Sequence, residues 1–277
     1  MQFTQIADAS HEHVSGNSPI VISGSKLLMF GLVSEQMWTL GVPITGGTWT
    51  EVGNIGIPFR DEFSIVSIGG FFLFGGRSLP GVDTTIYTSP DGVQWGLAGT
   101  APFGPRFSLC AVNFMGNPYV YAGSSQAGTQ CNDVWVCTNG GLAWKQLTAH
   151  AAFPPTDKAG CASFAGGMFL VGGLSNHQAT NQVWASQNGS AWRNLGAAPW
   201  PARSQPAVAV AGNALFVMGG YDISGQYLDD IWMTTTGKSW TQVPGVFPGD
   251  DVLPSTATSD GTTIYVGSRA GIWTARP

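Results

Sequence analysis

Charge is scarce in this sequence. Lys, Arg, Asp and Glu make up 10% of its 277 residues, against roughly 25% in an average globular protein. A net charge of −5 carried by so few groups leaves no dense basic face, which excludes generic nucleic-acid binding. Glutamate is scarcer still: Glu12, Glu35, Glu51 and Glu62 are the full set, and residues 63–277 contain none. A hydrolase built on paired carboxylates would have to draw on aspartates, and no aspartate pair stands apart from the rest. Long apolar runs are missing as well. No window of 18 or more apolar residues exists, so membrane insertion is not expected. The start, "MQFTQIADASHEH", has neither a basic stretch nor an apolar core and does not read as a secretory signal.

Cysteine is limited to Cys110, Cys131, Cys137 and Cys161. They form no Cys-x-x-Cys pair, which argues against zinc, and their irregular spacing outlines no disulfide framework. They read as free thiols that pack as small hydrophobes, with Cys131 and Cys137 the one sequence-near pair able to bridge. No segment has a helical period. No nucleophile-elbow pattern surrounds His150 or His177, and no phosphate-binding glycine motif sits between a strand and a helix. Neither a cofactor nor an enzymatic activity is expected, because no set of reactive groups converges.

What the sequence has in quantity is glycine, 39 residues, and a periodic set of tryptophans. One Trp per unit falls at 49, 95, 144, 192 and 240, with differences of 46, 49, 48 and 48. Another aromatic falls at 38, 87, 135, 184, 232 and 273, and an apolar run ending in glycine recurs six times, as in "FFLFGG" (71–76) and "MFLVGG" (168–173). Each unit reads as four short strands. In the fifth they are 205–211, 214–220, 230–235 and 239–244, with a Gly-Asn hairpin turn between the first two. Four-stranded units at this period are propeller blades.

The last unit, ending "GIWTARP" (271–277), lacks its fourth strand. Phe3-Thr4-Gln5-Ile6 matches Trp240-Thr241-Gln242-Val243, so the N-terminal segment is expected to supply it and close the ring, leaving no free sheet edge. The expected fold is all-β: a single six-bladed β-propeller domain over 1–277. Its blades are placed at about 14–53, 60–99, 106–148, 158–196, 203–244, and 252–277 plus 1–8.

The unit of a basic residue, a strand, Gly-Gly, a spacer, Asp-Val-Trp and a second Trp resembles the kelch repeat. The turn Ser89-Pro90-Asp91-Gly92-Val93-Gln94-Trp95 resembles the Asp-box turn of sialidase-like propellers, whereas the turn ending at Trp144 has Asn139 for the acid and the turn ending at Trp240 has lost it. The resemblance covers the whole chain. It implies a propeller and a face that binds acidic or polar partner segments. The tryptophans themselves are explained by packing between blades.

One repeated feature exceeds what packing needs. Each linker into a blade carries an aromatic followed by charge: Phe59-Arg60-Asp61, Phe103-Gly104-Pro105-Arg106, Phe153 to Asp157-Lys158, Trp200-Pro201-Ala202-Arg203, and Phe247 to Asp250-Asp251. The first strand of a propeller blade is innermost, so these linkers are expected at the mouth of the central channel. Arg60, Arg106, Lys158 and Arg203, with Asp61 and Asp157, are the candidate partner-binding groups. Arg77 and Arg269, just after the glycine runs, are candidates for the same rim. A ring of Arg suits a carboxylate ligand; the same charges could instead form salt-bridged struts between blades. Trp200, flanked by prolines, is the linker aromatic expected to be exposed. His11 and His13 have metal-ligand spacing on a strand, but no third ligand is identified.

The expected function is recognition or scaffolding of a protein partner in a larger assembly, such as a virion or a phage tail or capsid appendage, and a virion or cytoplasmic location goes with it. A lectin or adhesin for host-surface glycans is the second reading, and a degenerate sialidase-like hydrolase the third.

Overall fold

The computed structural model describes residues 1–8, 19–33, 36–78, 81–138, 143–248, 256–268 and 270–277. It is a β-propeller. Among the described residues there are six four-stranded antiparallel sheets, five of them simple meanders, and no helix. The innermost strands are Ile20–Ser23, Ser64–Ser67, Cys110–Phe114, Gly160–Phe164, Ala207–Ala211 and Thr256–Ser259. Thr4–Asp8 pairs with Gly271–Ala275, with Thr4 opposite Thr274 and Asp8 opposite Gly271, so the N-terminal segment completes the sixth sheet. No disulfide joins any of the four cysteines, Cys131 and Cys137 included.

The core is divided into six wedges, one between each neighbouring pair of sheets. Cys110, Phe114, Tyr121, Phe153, Met168, Leu170 and Trp192 fill the gap between the third and fourth. Ala7, Ile20, Leu27, Trp49, Tyr265 and Ile272 fill the gap between sixth and first and close the circle. Each wedge takes aromatics from two blades, and ring edges meet ring faces: Phe153 and Trp192 lie 5.0 Å apart at 80°. The linker aromatics Phe103, Phe153, Trp200 and Phe247 all belong to these wedges and are buried. Trp200, expected to be exposed, is 2% exposed and meets Trp240 edge-on at 4.3 Å.

Strands end earlier than the apolar pattern suggests. In the fifth blade the second strand is Ala214–Met218, and Gly219-Gly220 leaves it rather than bending within it. Both glycines have positive φ, 59° and 91°. The same pair of conformations recurs at Gly75-Gly76, Ala122-Gly123 and Gly172-Gly173. These positions have no room. A Cβ on Gly75 would stand 2.3 Å from the Arg106 carbonyl oxygen, and one on Gly76 would stand 2.8 Å from that of Asp61. The pair is wedged between its own blade's linker and the next one.

Gly173 and Gly166 separate the two costs. Gly166 has φ +72° with open space around it; Gly173 has φ +94° and would bring a Cβ to 2.7 Å from the Asp157 carbonyl. Gly166→Ala should cost about 1–2 kcal/mol, the left-handed penalty alone. Gly173→Ala should cost at least about 2 kcal/mol more, read from urea denaturation. Equal costs would mean that backbone conformation, and not the close approach, demands the glycine.

Candidate functional site

Hairpin turns and linkers lie on opposite faces of a meander. The linkers into the blades, with the loops after each Gly-Gly pair, therefore form one face around the channel. Short bridges tie them together: Arg106–Phe107 pairs with Ser124–Ser125, Thr156–Asp157 with Leu174–Ser175, and Asp61 bridges to Arg77.

Three of the linker arginines do not present themselves to a ligand. Arg60, Arg106 and Arg203 are 1%, 4% and 0% exposed. Arg203 donates to both carboxylate oxygens of Asp230, at 2.6 and 2.8 Å, and to the Gly219 carbonyl at 2.9 Å. Arg106 does the same with Asp133 and the Ala122 carbonyl, whereas Arg60 reaches one carboxylate oxygen of Asp83, at 2.6 Å, and the Gly75 carbonyl. The aspartates sit just before the third strand of the same blade. Trp135 and Trp232 donate their indole N–H to Asp133 and Asp230, both at 2.7 Å. Each arginine thus ties the linker to the glycine turn and to the third strand. This strut arrangement leaves none of these three guanidinium groups free to clamp a ligand carboxylate. Burial would raise the Asp230 carboxyl, but the bonds from Arg203 and Trp232 outweigh it and hold the group below the ordinary carboxylate range.

The groups that do surround the opening follow Arg60, Arg106, Thr156 and Arg203 by two residues. Glu62, Ser108, Lys158 and Gln205 all have left-handed backbone, with φ of 52°, 49°, 52° and 53°. Non-glycine residues rarely adopt it; four at equivalent places mean the linker geometry demands it. Their backbones form a chain around the axis: the Ser108 N–H donates to the Glu62 carbonyl at 2.9 Å, Lys158 to Ser108 at 3.4 Å, and Gln205 to Lys158 at 2.7 Å. Their side chains line a cavity of about 150 Å³, with Phe63 and Leu109 also in its wall.

The other candidates take mixed roles. Arg77 is half-exposed, lies 3.8 Å over the Phe107 ring and 3.9 Å from the Glu62 carboxylate, which also accepts from the Ser108 hydroxyl. Asp157 is buried and accepts from Ser124 and Gln130 at 2.5 and 2.9 Å, a structural role. Asp61 is half-buried; burial, then its neighbour Glu62, pushes its carboxyl up, and its Oδ1 has no hydrogen-bond partner among the described residues. Arg269, Asp250, Asp251, His11 and His13 lie outside the described residues. Among the described residues no group of three or more His, Cys, Asp or Glu side chains gathers as a metal site. Nor is any helix long and apolar enough to cross a membrane.

A family model described as the KLHDC2/KLHL20/DRC7 Kelch-repeats domain matches residues 62–267, well over half of the chain. The chain belongs to the Kelch-repeat family. A search of curated proteins found no match. Kelch repeats generally mediate protein–protein interaction and are usually non-catalytic binding modules. In the third and fifth blades of this Kelch chain the glycine turn, the arginine and Asp-x-Trp are one connected structural unit.

The residues that sequence reasoning missed are the strut acids Asp83, Asp133 and Asp230 and the corner residues Glu62, Ser108 and Gln205. A signal for the struts exists: Arg106 and Asp133 are 27 residues apart, as are Arg203 and Asp230. The fourth blade has lost both partners together, with Thr156 and Gln182 in their places.

Removing one strut partner should be far worse than removing both. Asp230→Ala leaves a buried, unpaired guanidinium and should cost about 3–5 kcal/mol, while Arg203→Met combined with Asp230→Leu should cost much less. Chemical denaturation of the variants decides it. A carboxyl held low in the folded state stabilises above its unfolded value of about 3.9 and loses that contribution as pH falls through its lower folded value. The extra acid lability of the wild type over the double variant should therefore develop below about pH 4.

Proposed function

We propose that this propeller is a recognition module that holds a protein partner at the linker face, with Glu62, Arg77, Lys158 and Gln205 as the contact groups. The observation that carries the reading is the ring of four left-handed corners, which sets side chains of both charge signs around one opening while the buried struts keep the backbone beneath them in place. Fixed side chains lose little entropy when a partner docks. Mixed charges favour a polar segment that carries both signs and disfavour a purely acidic one. The general role of Kelch repeats supports the same reading. A chain with so little charge of its own suits a subunit built into a larger assembly, with a virion or phage tail or capsid appendage as the context. Glycan binding at this rim draws less support, since no tryptophan stands in the wall of the opening.

A random peptide library selected on the immobilised protein tests the reading, with a glycan array alongside. Enriched peptides should lose at least tenfold in affinity to the Arg77→Glu/Lys158→Glu double variant, about 1.4 kcal/mol or more, with its melting curve unchanged. Peptides indifferent to that variant, or enrichment only on the glycan array, would contradict it.

A further inference from the structure

The fourth blade is the exception among the strut-bearing repeats, and its exception leaves a space. Thr156 stands where the second, third and fifth blades have Arg60, Arg106 and Arg203, and Gln182 stands two residues before Trp184, where the third and fifth have Asp133 and Asp230. Thr156 does not reach across: its hydroxyl turns back to the Pro154 carbonyl at 2.7 Å. In its siblings the carbonyls of Gly75, Ala122 and Gly219 each accept from an arginine. Gly172, their equivalent, faces no guanidinium. Where the arginine and aspartate would be there is a cavity of about 280 Å³, walled by Thr156, Leu170, Gly172, Gln182, Trp184 and Asn194.

The donors released by the missing pair are also open. Trp135 and Trp232 give their indole N–H to the strut aspartate. Trp184 has no such acceptor, and its indole N–H makes no hydrogen bond among the described residues. Asn194 donates to the Gln182 side-chain oxygen at 3.0 Å and accepts from the Gly196 N–H at 2.6 Å. That fixes the Gln182 amide and leaves its NH₂ without a partner among the described residues. Asn194 and Pro154 are exposed, so the cavity has an opening to solvent.

We infer that this cavity is a binding site for a neutral, polyhydroxylated ligand of about one sugar residue. No Asp, Glu, Lys or Arg lines it, so a charged ligand would enter without compensation, which is costly in a partly enclosed space. The half-buried Trp184 offers an apolar ring wall on one side. The Gln182 NH₂ and the indole N–H offer donors, and the Gly172 carbonyl offers an acceptor. A sugar has an apolar C–H face and a hydroxyl edge that both donates and accepts, which matches this division. The volume is at the lower end for small-molecule pockets, roughly 300 Å³ and above, which limits the ligand to a single ring. The site is independent of whatever partner the linker rim holds.

The test uses the whole ¹⁵N-labelled chain and methyl glycosides of glucose, galactose, mannose and N-acetylglucosamine, each titrated to about 50 mM, a range that detects millimolar affinity. The Trp184 indole signal, assigned with Trp184→Phe, should shift with at least one of them. The double variant Thr156→Arg/Gln182→Asp rebuilds the strut inside the cavity. It should stay folded, gain thermal stability and bind that glycoside at least tenfold more weakly. Should it not fold, Gln182→Leu removes the free amide without filling the space, and the same tenfold loss is expected. Three results would overturn the assignment: no shift with any glycoside, full binding retained in a folded variant, or a Trp184 shift with acetamide and none with the sugars, which would make the occupant a partner's amide side chain.

Discussion

The close approach of each linker to the glycine turns on either side of it is the contact on which the rest of the structure depends. Gly76, Gly123 and Gly173 donate their N–H groups to the carbonyls of Arg106, Thr156 and Arg203 in the next linker, at 2.9, 2.8 and 2.8 Å. A side chain on Gly75, Gly76, Gly172 or Gly173 would occupy the place of a linker carbonyl. Arg106, Thr156 and Arg203 are buried, so their carbonyls need such a donor. The second glycine of each pair, Gly76, Gly123, Gly173 or Gly220, is therefore fixed by its own blade's linker, while the first position, which is Ala122 in the third blade, lies against the next one.

From that contact follow the struts and the rim. A linker held this tightly must turn sharply to enter the inner strand, and Glu62, Ser108, Lys158 and Gln205 take the left-handed conformation that the turn demands. The arginine two residues earlier is drawn beneath the turn, where the first glycine position offers a carbonyl and the third strand an aspartate. Buried charge persists only with such partners. The fourth blade obeys the same rule by dispensing with both partners at once.

The architecture was legible in the sequence because spacing carries it. The regular Trp positions, the six apolar runs and the likeness of Phe3-Thr4-Gln5-Ile6 to Trp240-Thr241-Gln242-Val243 each reflect a strand that recurs in register. The candidate site was legible only by place. Arg60, Arg106 and Arg203 do sit in the linkers, but a linear pattern gives no depth, and a basic residue in a loop next to proline reads as exposed. Trp200 misled for the same reason. The acids that would have reversed the reading lie 23 to 27 residues further on. Glu62, Ser108 and Gln205 share no chemistry; their equivalence lies in φ, which side-chain identity does not encode outside glycine.

Hydrogen exchange of individual backbone amides measures the constraint itself. The N–H groups of Ser108, Lys158 and Gln205 and of Gly76, Gly123 and Gly173 belong to linkers and turns, where rapid exchange is the rule. If linkers and glycine turns lock the blades together, these amides exchange as slowly as those of the inner strands, and in the Asp230→Ala variant the protection of Gln205 and Gly173 falls first. Exchange of all six at the rate of open loops, with the strands still protected, would mean that the blades are held by their aromatic wedges alone and that the linker ring is a consequence of the fold and not its lock.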